Sequence, residues 1–266
     1  MSVHDELGKR MKEYYEQIPK TKLMRRCPVV LRCDGKAFHS FTRGLKKPFD
    51  EILIKSMQDT MKYLCENVQG CVLGYHQSDE ISLLLVDYKT LDSRAFFDYE
   101  VQKICSITAS MATMVFNKYF HDNAFKEINR LYEYTPDDVM KYKNTLRKAI
   151  EKGAMFDCRC FNIPKEEATN YFYWRQLDAT RNSIQMVGQA NFSHKELQNK
   201  SCSMIQDMLH EQKDINWNDF PIYQKRGSCC IKTKQMINDI ERSKWIIDND
   251  IPIFVNEGRD YIEQRF

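Results

Sequence analysis

Apolar positions change their period several times along the chain, and each change predicts a different element. Residues 28–33 and 70–76 are short apolar runs, which predict β-strands. Residues 48–68 place apolar side chains at helical spacing, and Pro48 is expected in the first turn of that helix. Residues 80–88 repeat the strand pattern directly after the segment "QSD", so we expect a hairpin there.

The rest of the chain alternates between longer helical patterns and short strand patterns. The order strand, helix, strand, strand, helix, helix, strand over residues 28–164 is close to the split βαβ unit of a ferredoxin-like sheet. We therefore expect an α+β fold with an antiparallel sheet, flanking helices and a mainly helical C-terminal third. Helices are predicted at residues 5–18, 94–120, 136–152, 165–192 and 194–212, and further strands at 154–164, 221–233 and 244–255.

Composition narrows the class of protein. The 266 residues include 42% hydrophobic ones, enough for a sizeable core, and the net charge is only +3, so any surface for nucleic acid must be local. No apolar stretch approaches the roughly 20 residues of a membrane span.

The ten cysteines contain no CxxC pair, which favours reduced thiols over disulfides or zinc. The first residues lack the apolar core of a signal peptide, and we expect a cytoplasmic protein with no membrane contact.

Two acidic turns carry the strongest chemical signal. Asp34 follows the first predicted strand, and Asp79 lies in the hairpin turn. In a split βαβ sheet these strands are neighbours, so both carboxylates reach the same end of the sheet. Such oxygen ligands suit Mg²⁺, and the Gly35 carbonyl is a further candidate ligand. The alternative is that these residues merely form turns.

A basic loop follows Asp34. Residues 35–47 contain Lys36, Arg43, Lys46 and Lys47, with His39 and two phenylalanines between them. Backbone N–H groups and a lysine in such a loop can hold a triphosphate. It is not a Walker A loop, and the alternative is a solvated basic loop.

Four ordered motifs give the sequence a family resemblance. The segments "RCDGKAFHSF", "KKPFD", "GYHQSDEISLL" and "YWRQLDATRNSI" look like the motifs of the tRNA-histidine guanylyltransferase superfamily. The match covers about residues 28 to 190, with a weaker similarity at "PIYQKRGSC". The resemblance implies a palm domain like that of polymerases and nucleotide cyclases. We expect residues 1–192 to form it, and residues 193–266 to form a helical extension with a closing hairpin, packed on the palm.

The resemblance also implies a reaction. Members add nucleotides to the 5′ end of tRNA in the 3′-to-5′ direction, with ATP and GTP or other NTPs as substrates. The 5′-monophosphate is first adenylylated with ATP, and the 3′-hydroxyl of an incoming NTP then displaces AMP. Two Mg²⁺ ions serve each active site, and the expected assembly is a homotetramer that binds tRNA.

Residue roles carry over by position. Asp34 and Asp79 are expected to bind both metal ions with the Gly35 carbonyl, and Glu80 is the neighbouring catalytic acid. Tyrosine and tryptophan near the "WRQ" motif are assigned mostly to packing. The residues expected to bind the nucleotide are Lys36, Ala37, Phe38, His39, Lys47, Asp50 and Ser78.

A third group of residues is expected to contact tRNA. The helix of the "WRQ" motif supplies most of them, and its alternative role is that of a packed amphipathic helix. Basic residues further on would grip phosphates. The residues in question are Arg175, Gln176, Asp178, Asn182, Lys225 and Arg226.

One position departs from the enzymes specific for tRNA-His. Where those continue C-H-I-N-N, this chain reads "ATRNSI", with Thr180 in place of the histidine while Asn182 matches. The departure resembles the guanylyltransferase-like branch, which repairs 5′-truncated tRNAs by template-dependent addition. Addition of one G at position −1 of tRNA-His remains the alternative, and a nucleotide cyclase or an RNA-binding chaperone are the further ones.

Overall fold

The computed structural model describes residues 3–131, 136–237 and 240–266. Within them the strands form one antiparallel sheet in the order β4-β1-β3-β2-β5-β6. The first four strands in that order are the arrangement of a ferredoxin-like sheet, which confirms the expected fold class. The strands are β1 (Val29–Gly35), β2 (Cys71–Gln77), β3 (Glu80–Leu85), β4 (Phe156–Asn162), β5 (Ser228–Ile237) and β6 (Ile240–Asp248).

Helices cover both faces of the sheet, and short 3₁₀ or π turns connect several of them. The α-helices of the described residues are α1 (Val3–Met11), α2 (Phe38–Phe41), α3 (Glu51–Asn67), α4 (Val101–Arg130), α5 (Asp137–Lys152), α6 (Lys165–Asn191), α7 (His194–Leu197), α8 (Cys202–Lys213), α9 (Ile222–Arg226) and α10 (Asp260–Glu263).

The alternation of side chains along β1 divides the core into two layers. Leu31 and Cys33 belong to the core beneath α3 and α4, which also contains Phe116. Val30 points to the other face and shares a core with Phe172 of α6. Successive residues of a strand face opposite sides, so one apolar run supplies both layers. This explains why Val29, Val30 and Leu31 are apolar in succession.

Residues after 192 contribute to two parts of the molecule. Leu209 of α8 and Trp217 pack with Val187 at the end of α6 in a third apolar cluster. Strands β5 and β6 extend the palm sheet beyond β2. The proposed division of the chain at residue 192 stays a prediction, although both segments share the sheet.

Several predicted boundaries differ from the observed ones. The helix expected from residue 94 begins at Val101, because Phe97, Asp98 and Tyr99 have positive φ angles of 47°, 55° and 55°. Left-handed residues cannot continue a right-handed helix. The helix expected from Pro48 begins at Glu51 instead. The residue before it, Asp50, is the N-cap of this helix.

The C-terminal boundaries also needed correction. The helix expected at 194–212 is two helices, because Ser201 caps a new one by accepting from the Met204 N–H. The strand expected from residue 221 starts instead with helix α9, which follows Pro221. Proline has a backbone angle suited to the start of a helix, so the aromatic and β-branched residues after it did not form a strand there.

All ten cysteines are free thiols. Within the described residues, no helix combines the length and apolar character that crossing a bilayer requires.

Candidate active site

The two acidic turns lie side by side at one end of the sheet. Ser78 and Asp79 form the two-residue turn between β2 and β3, and β3 pairs with β1 so that Asp34 lies opposite Glu80. The Gly35 N–H donates to the Asp79 carbonyl over 3.1 Å, which ties the end of β1 to the turn. The strand order thus brings Asp34, Gly35 and Asp79 together, as the sequence predicted.

The negative charges of Asp34 and Asp79 repel each other. Burial raises the pKa of Asp79, and the nearby Asp34 carboxylate raises it further, while a hydrogen bond from the Ser78 hydroxyl at 3.1 Å opposes the shift. Arg159 of β4 lies 3.9 Å from Asp34 but is 3.0 Å from Asp157, so it is shared between two acids. A cation placed between Asp34 and Asp79 would relieve their repulsion.

The donor set fits a hard cation such as Mg²⁺. Asp34 and Asp79 supply carboxylate oxygens, and the backbone of Gly35 is in reach of the same turn. Across the described ranges, no group of three or more His, Cys, Asp or Glu side chains forms a metal site. A metal ion here would therefore depend on two carboxylates, backbone carbonyl oxygen and ligands from substrate or water.

Gly35 is required by packing. A Cβ at this position would run into the ring of Phe38. That ring cannot move aside easily, because it packs against Phe41, Phe116 and Phe156 at centroid distances of 5.1, 5.6 and 5.6 Å. The aromatic cluster thus holds the first turn of the basic loop directly against the end of β1.

A cleft of about 750 Å³ opens beside the turns. Its floor and one wall come from residues 35–50, including Ala37, His39 and Lys47, and Ser78 and Asp79 form its edge. Ala37 and Ser78 both adopt positive φ, at 51° and 52°, conformations that cost energy for residues other than glycine. The volume suits a small polar ligand such as a nucleotide.

Six of the seven predicted nucleotide residues divide into three groups, and Asp50 is described separately below. Ala37, His39, Lys47 and Ser78 line the cleft through accessible atoms. Phe38 also lines it, although its ring is mostly buried in the aromatic cluster. Lys36 is not among the lining residues, and its N–H donates to the Met155 carbonyl at 2.8 Å.

Asp50 shapes the cleft through its own hydrogen bonds. Its carboxylate accepts from the N–H groups of Ile52 and Leu53 at 3.0 and 3.2 Å, which caps helix α3. The same carboxylate accepts from the Lys46 N–H and from the Tyr142 hydroxyl, both at 3.0 Å. Both oxygens are thus engaged in structural contacts, although Asp50 also lines the cleft, and its direct contact with the nucleotide stays a prediction.

Glu80, expected to be the neighbouring catalytic acid, lies away from the cleft, and its catalytic role stays a prediction. Its side chain is buried on the face covered by α6, where it accepts from Arg175 Nε at 2.8 Å and from the Ser82 hydroxyl at 3.3 Å. Burial raises the pKa of Glu80, and Arg175 acts against that shift. Glu80 does not line the cleft, and its contacts make it a support for the strand next to the Asp79 turn.

Three of the expected tRNA contacts are interior residues. Arg175 is held by Glu80 and by Asp178, the latter at 2.8 Å. Gln176 is only 1% exposed, donates to the Pro252 carbonyl at 2.8 Å and accepts from the Phe254 N–H at 3.0 Å. Lys225 is buried and donates to the Asn218 carbonyl. The polar groups of Arg175, Gln176 and Lys225 are thus occupied inside the fold, and contact between these residues and tRNA stays a prediction.

The other three positions are partly accessible. Asp178 accepts from Arg175 and Arg181, and the Asn182 amide is 3.5 Å from it. Asn182 also lines a small cavity of about 80 Å³ next to the cleft, together with Ser78. Arg226 is half-buried, and its carbonyl accepts from the Tyr75 hydroxyl at 2.6 Å. Contact between these three residues and tRNA stays a prediction.

Helix α6 supplies a wall that the sequence reasoning missed. Met186 and Gln189 line the cleft opposite the basic loop. They are three residues apart, so they share a helix face with Asn182, which is four residues before Met186. The helical spacing was visible in the sequence, but only the packing of α6 on the sheet turns this face toward the cleft.

Comparisons with known proteins relate the chain to one family. A family model described as tRNAHis guanylyltransferase (Thg1) matches residues 8–164. A bacterial tRNA(His) guanylyltransferase (Thg1)-like protein in complex with ATP is 40% identical, covers 100% of this chain and 99% of its own, and superposes with a TM-score of 0.77. A bacterial Thg1-like protein in complex with GTP is 41% identical over 98% of this chain and 99% of its own, with a TM-score of 0.75. The tRNA(His) guanylyltransferase of Saccharomyces cerevisiae is 24% identical over 81% of this chain and 87% of its own length.

The fold and the relatives define a nucleotidyltransferase that acts in tRNA processing. The chain belongs to the tRNAHis guanylyltransferase family.

Proposed function

We propose that this protein is a template-dependent 3′-to-5′ nucleotidyltransferase that repairs the 5′ end of truncated tRNA. The observation that carries the proposal is the nucleotide-sized cleft bordered by Asp79 and Gly35, with Asp34 at the adjoining strand end. Similarity over nearly the whole chain to bacterial Thg1-like proteins, in complexes with ATP and with GTP, supports nucleoside triphosphates as substrates.

The first step activates the RNA. A 5′-phosphate oxygen of the tRNA attacks the α-phosphorus of ATP, forming a P–O–P bond to AMP and releasing pyrophosphate. In the second step the 3′-hydroxyl of an incoming NTP attacks the tRNA 5′-phosphorus, and AMP leaves with the electron pair of the broken bond. A tRNA with a 5′-triphosphate needs no activation, because pyrophosphate is then the leaving group.

The chain's own residues position these reactants. The exposed Lys47 and the backbone around Ala37 and His39 hold the triphosphate of the nucleotide in the cleft. Asp34, Asp79 and the Gly35 carbonyl would hold two Mg²⁺ ions, which neutralise phosphate charge and orient the attacking hydroxyl when bound. Met186 and Gln189 of α6 limit the opposite side of the cleft.

Thr180 favours repair over addition of a single G to tRNA-His. Its hydroxyl donates to the Gln176 carbonyl at 3.0 Å, so it is engaged within its own helix. A threonine in this state offers no imidazole at the position where the tRNA-His enzymes have histidine. Addition of G at position −1 is nevertheless the second candidate, because the family model and the yeast relative carry that activity in their names.

The deciding experiment compares two RNAs. The first is a tRNA that lacks its first 5′ nucleotide, given with ATP, all four NTPs and Mg²⁺, and the second is full-length tRNA-His. We expect extension of the truncated tRNA by the nucleotide complementary to the unpaired acceptor-stem base, and a much lower rate with tRNA-His. Preferential addition of G to tRNA-His would favour the second candidate. RNA binding without any extension would point to an RNA chaperone.

The proposal includes a homotetramer in the cytoplasm. Both parts of this proposal rest on the family resemblance. Light scattering coupled to size exclusion measures the assembly directly, and a mass near that of one protomer would contradict it.

A further inference from the structure

Another polar cavity lies at the end of the β2–β3 hairpin that is opposite the turn of Ser78 and Asp79. It has a volume of about 280 Å³, and its floor is formed where Gly70 and Val86 meet. Around it stand Lys89 after β3, Lys232 of β5 and Arg265 near the C-terminus. Three segments that are distant in sequence thus each direct one basic side chain toward the same cavity.

The three cations are close enough to act on one another. The pKa of Lys89, whose side chain is partly desolvated although largely exposed, is lowered first by this desolvation and then by the positive charges of Lys232 and Arg265. No carboxylate within the described chain is among the groups that shift it. Arg265 Nε donates to the Tyr261 carbonyl at 3.2 Å, and its guanidinium lies over the ring of Tyr261, which holds it in place.

This cavity is separate from the candidate active site. It borders Cys71 at the start of β2, whereas the catalytic turn follows Gln77 at the end of that strand. Six residue steps of about 3.4 Å place the two ends roughly 20 Å apart. None of the described residues that line one cavity lines the other.

Positive charges that line one cavity repel one another, and a bound anion relieves that repulsion. An anion with several oxygens can accept hydrogen bonds from two ammonium groups and a guanidinium at once. Phosphate has this character, and none of the described residues that line the cavity offers an aromatic ring on which a base would stack.

We propose that Lys89, Lys232 and Arg265 form a phosphate-binding site remote from the catalytic turns. The phosphate belongs either to the backbone of the bound RNA or to a free oligophosphate. The first source rests on the proposed function, because it requires RNA as the substrate. Binding of a free oligophosphate does not require RNA as the substrate. The test therefore has one arm without RNA and one with RNA, so that failure of this site can be told apart from failure of the proposed function.

The first arm uses inorganic tripolyphosphate without RNA. The Lys89→Gln/Lys232→Gln double variant, whose side chains are both exposed, is compared with Lys118→Gln/Lys126→Gln, which removes two exposed lysines of helix α4. We expect calorimetry to show that the wild type and the Lys118/Lys126 variant each bind one more equivalent of tripolyphosphate than the Lys89/Lys232 variant does. In low salt without anion, the Lys89/Lys232 variant melts at a higher temperature than the wild type, and the Lys118/Lys126 variant does not.

The second arm measures binding of truncated tRNA as a function of salt concentration. A plot of log K against log[salt] has a negative slope. If RNA supplies the phosphate, this slope is less steep in the double variant, by about 1 for each phosphate that the variant no longer binds. An unchanged slope, together with loss of the extra tripolyphosphate equivalent, assigns the site to free oligophosphate. Unchanged tripolyphosphate stoichiometry together with an unchanged slope overturns the proposal.

Discussion

Arg175 of helix α6 and Glu80, the first residue of β3, form a buried ion pair in which Arg175 Nε lies 2.8 Å from Glu80 Oε1. The guanidinium also contacts Asp178 at 2.8 Å and lies over the Trp174 ring, so it is fixed on several sides. Because Glu80 directly follows Asp79, this ion pair anchors the strand that begins at the acidic turn.

We expect the Arg175→Met variant to be strongly destabilised. It would leave the Glu80 carboxylate buried without its partner, at a cost of about 3–5 kcal/mol in the free energy of unfolding. Urea denaturation measures this decrease.

The double variant Arg175→Met/Glu80→Gln is the control, since it removes both charges. It should regain a large part of the stability that the single variant lacks. If the double variant is as unstable as the sum of its single variants, the two residues do not act as a pair.

Replacing Gly35 by alanine should disturb both folding and activity. The added methyl group meets the Phe38 ring, whose aromatic neighbours limit its movement, and overpacking of this kind costs about 1–3 kcal/mol. Thermal melting measures the loss of stability, and extension of a truncated tRNA at its 5′ end measures the loss of activity.

Gly8→Ala is the matched control, because nothing lies within 4 Å of a Cβ at that helical position. That variant should be active and at least as stable as the wild type. A normal Gly35→Ala enzyme would show that the loop adapts to the methyl group.

Neutralising Asp79 should separate activity from stability. In Asp79→Asn the repulsion from Asp34 is removed, while the amide oxygen can still accept from Ser78, so the melting temperature should stay equal or rise. Activity should fall by about 10³-fold or more, the equivalent of several kcal/mol of charge stabilisation. A well-folded variant with normal extension would refute the metal-binding role of Asp79.

The buried His76 should make stability depend on pH. Its Nε2 lies 3.0 Å from the Ser78 carbonyl, and burial lowers its pKa from 6.5 to about 4. The unfolded chain binds a proton to this residue below about pH 6.5, while the folded protein does so only near 4. The contribution of neutral His76 to the free energy of unfolding is therefore fully present above pH 6.5. It falls as the pH is lowered toward 4, by up to about 1.4 kcal/mol per pH unit.

His76→Gln should flatten this part of the pH profile, measured by urea denaturation between pH 4 and 7. His121, which is exposed on α4, provides the control variant His121→Gln, and the slope should persist in it. An unchanged slope in His76→Gln would mean that other groups cause the acid sensitivity.

The sequence by itself determined most of the element types, the order of the first four strands and the pair of acidic turns. Residues 28–33 and 80–88 predict strands through local chemistry, and the split βαβ order makes Asp34 and Asp79 neighbours whatever the packing details. The ordered motifs also identified the family, since short polar segments at turns are readable without coordinates.

Only the tertiary structure decided which polar residues face the cleft and which serve the interior. Asp79 and Glu80 are adjacent in sequence, yet Asp79 lies in the turn and Glu80 points beneath α6. Helix α6 is weakly amphipathic, with polar residues on all sides, so its pattern cannot show that Arg175 and Gln176 are buried while Gln189 lines the cleft. Burial of a polar group depends on the partner it meets across the fold, and that partner is distant in sequence.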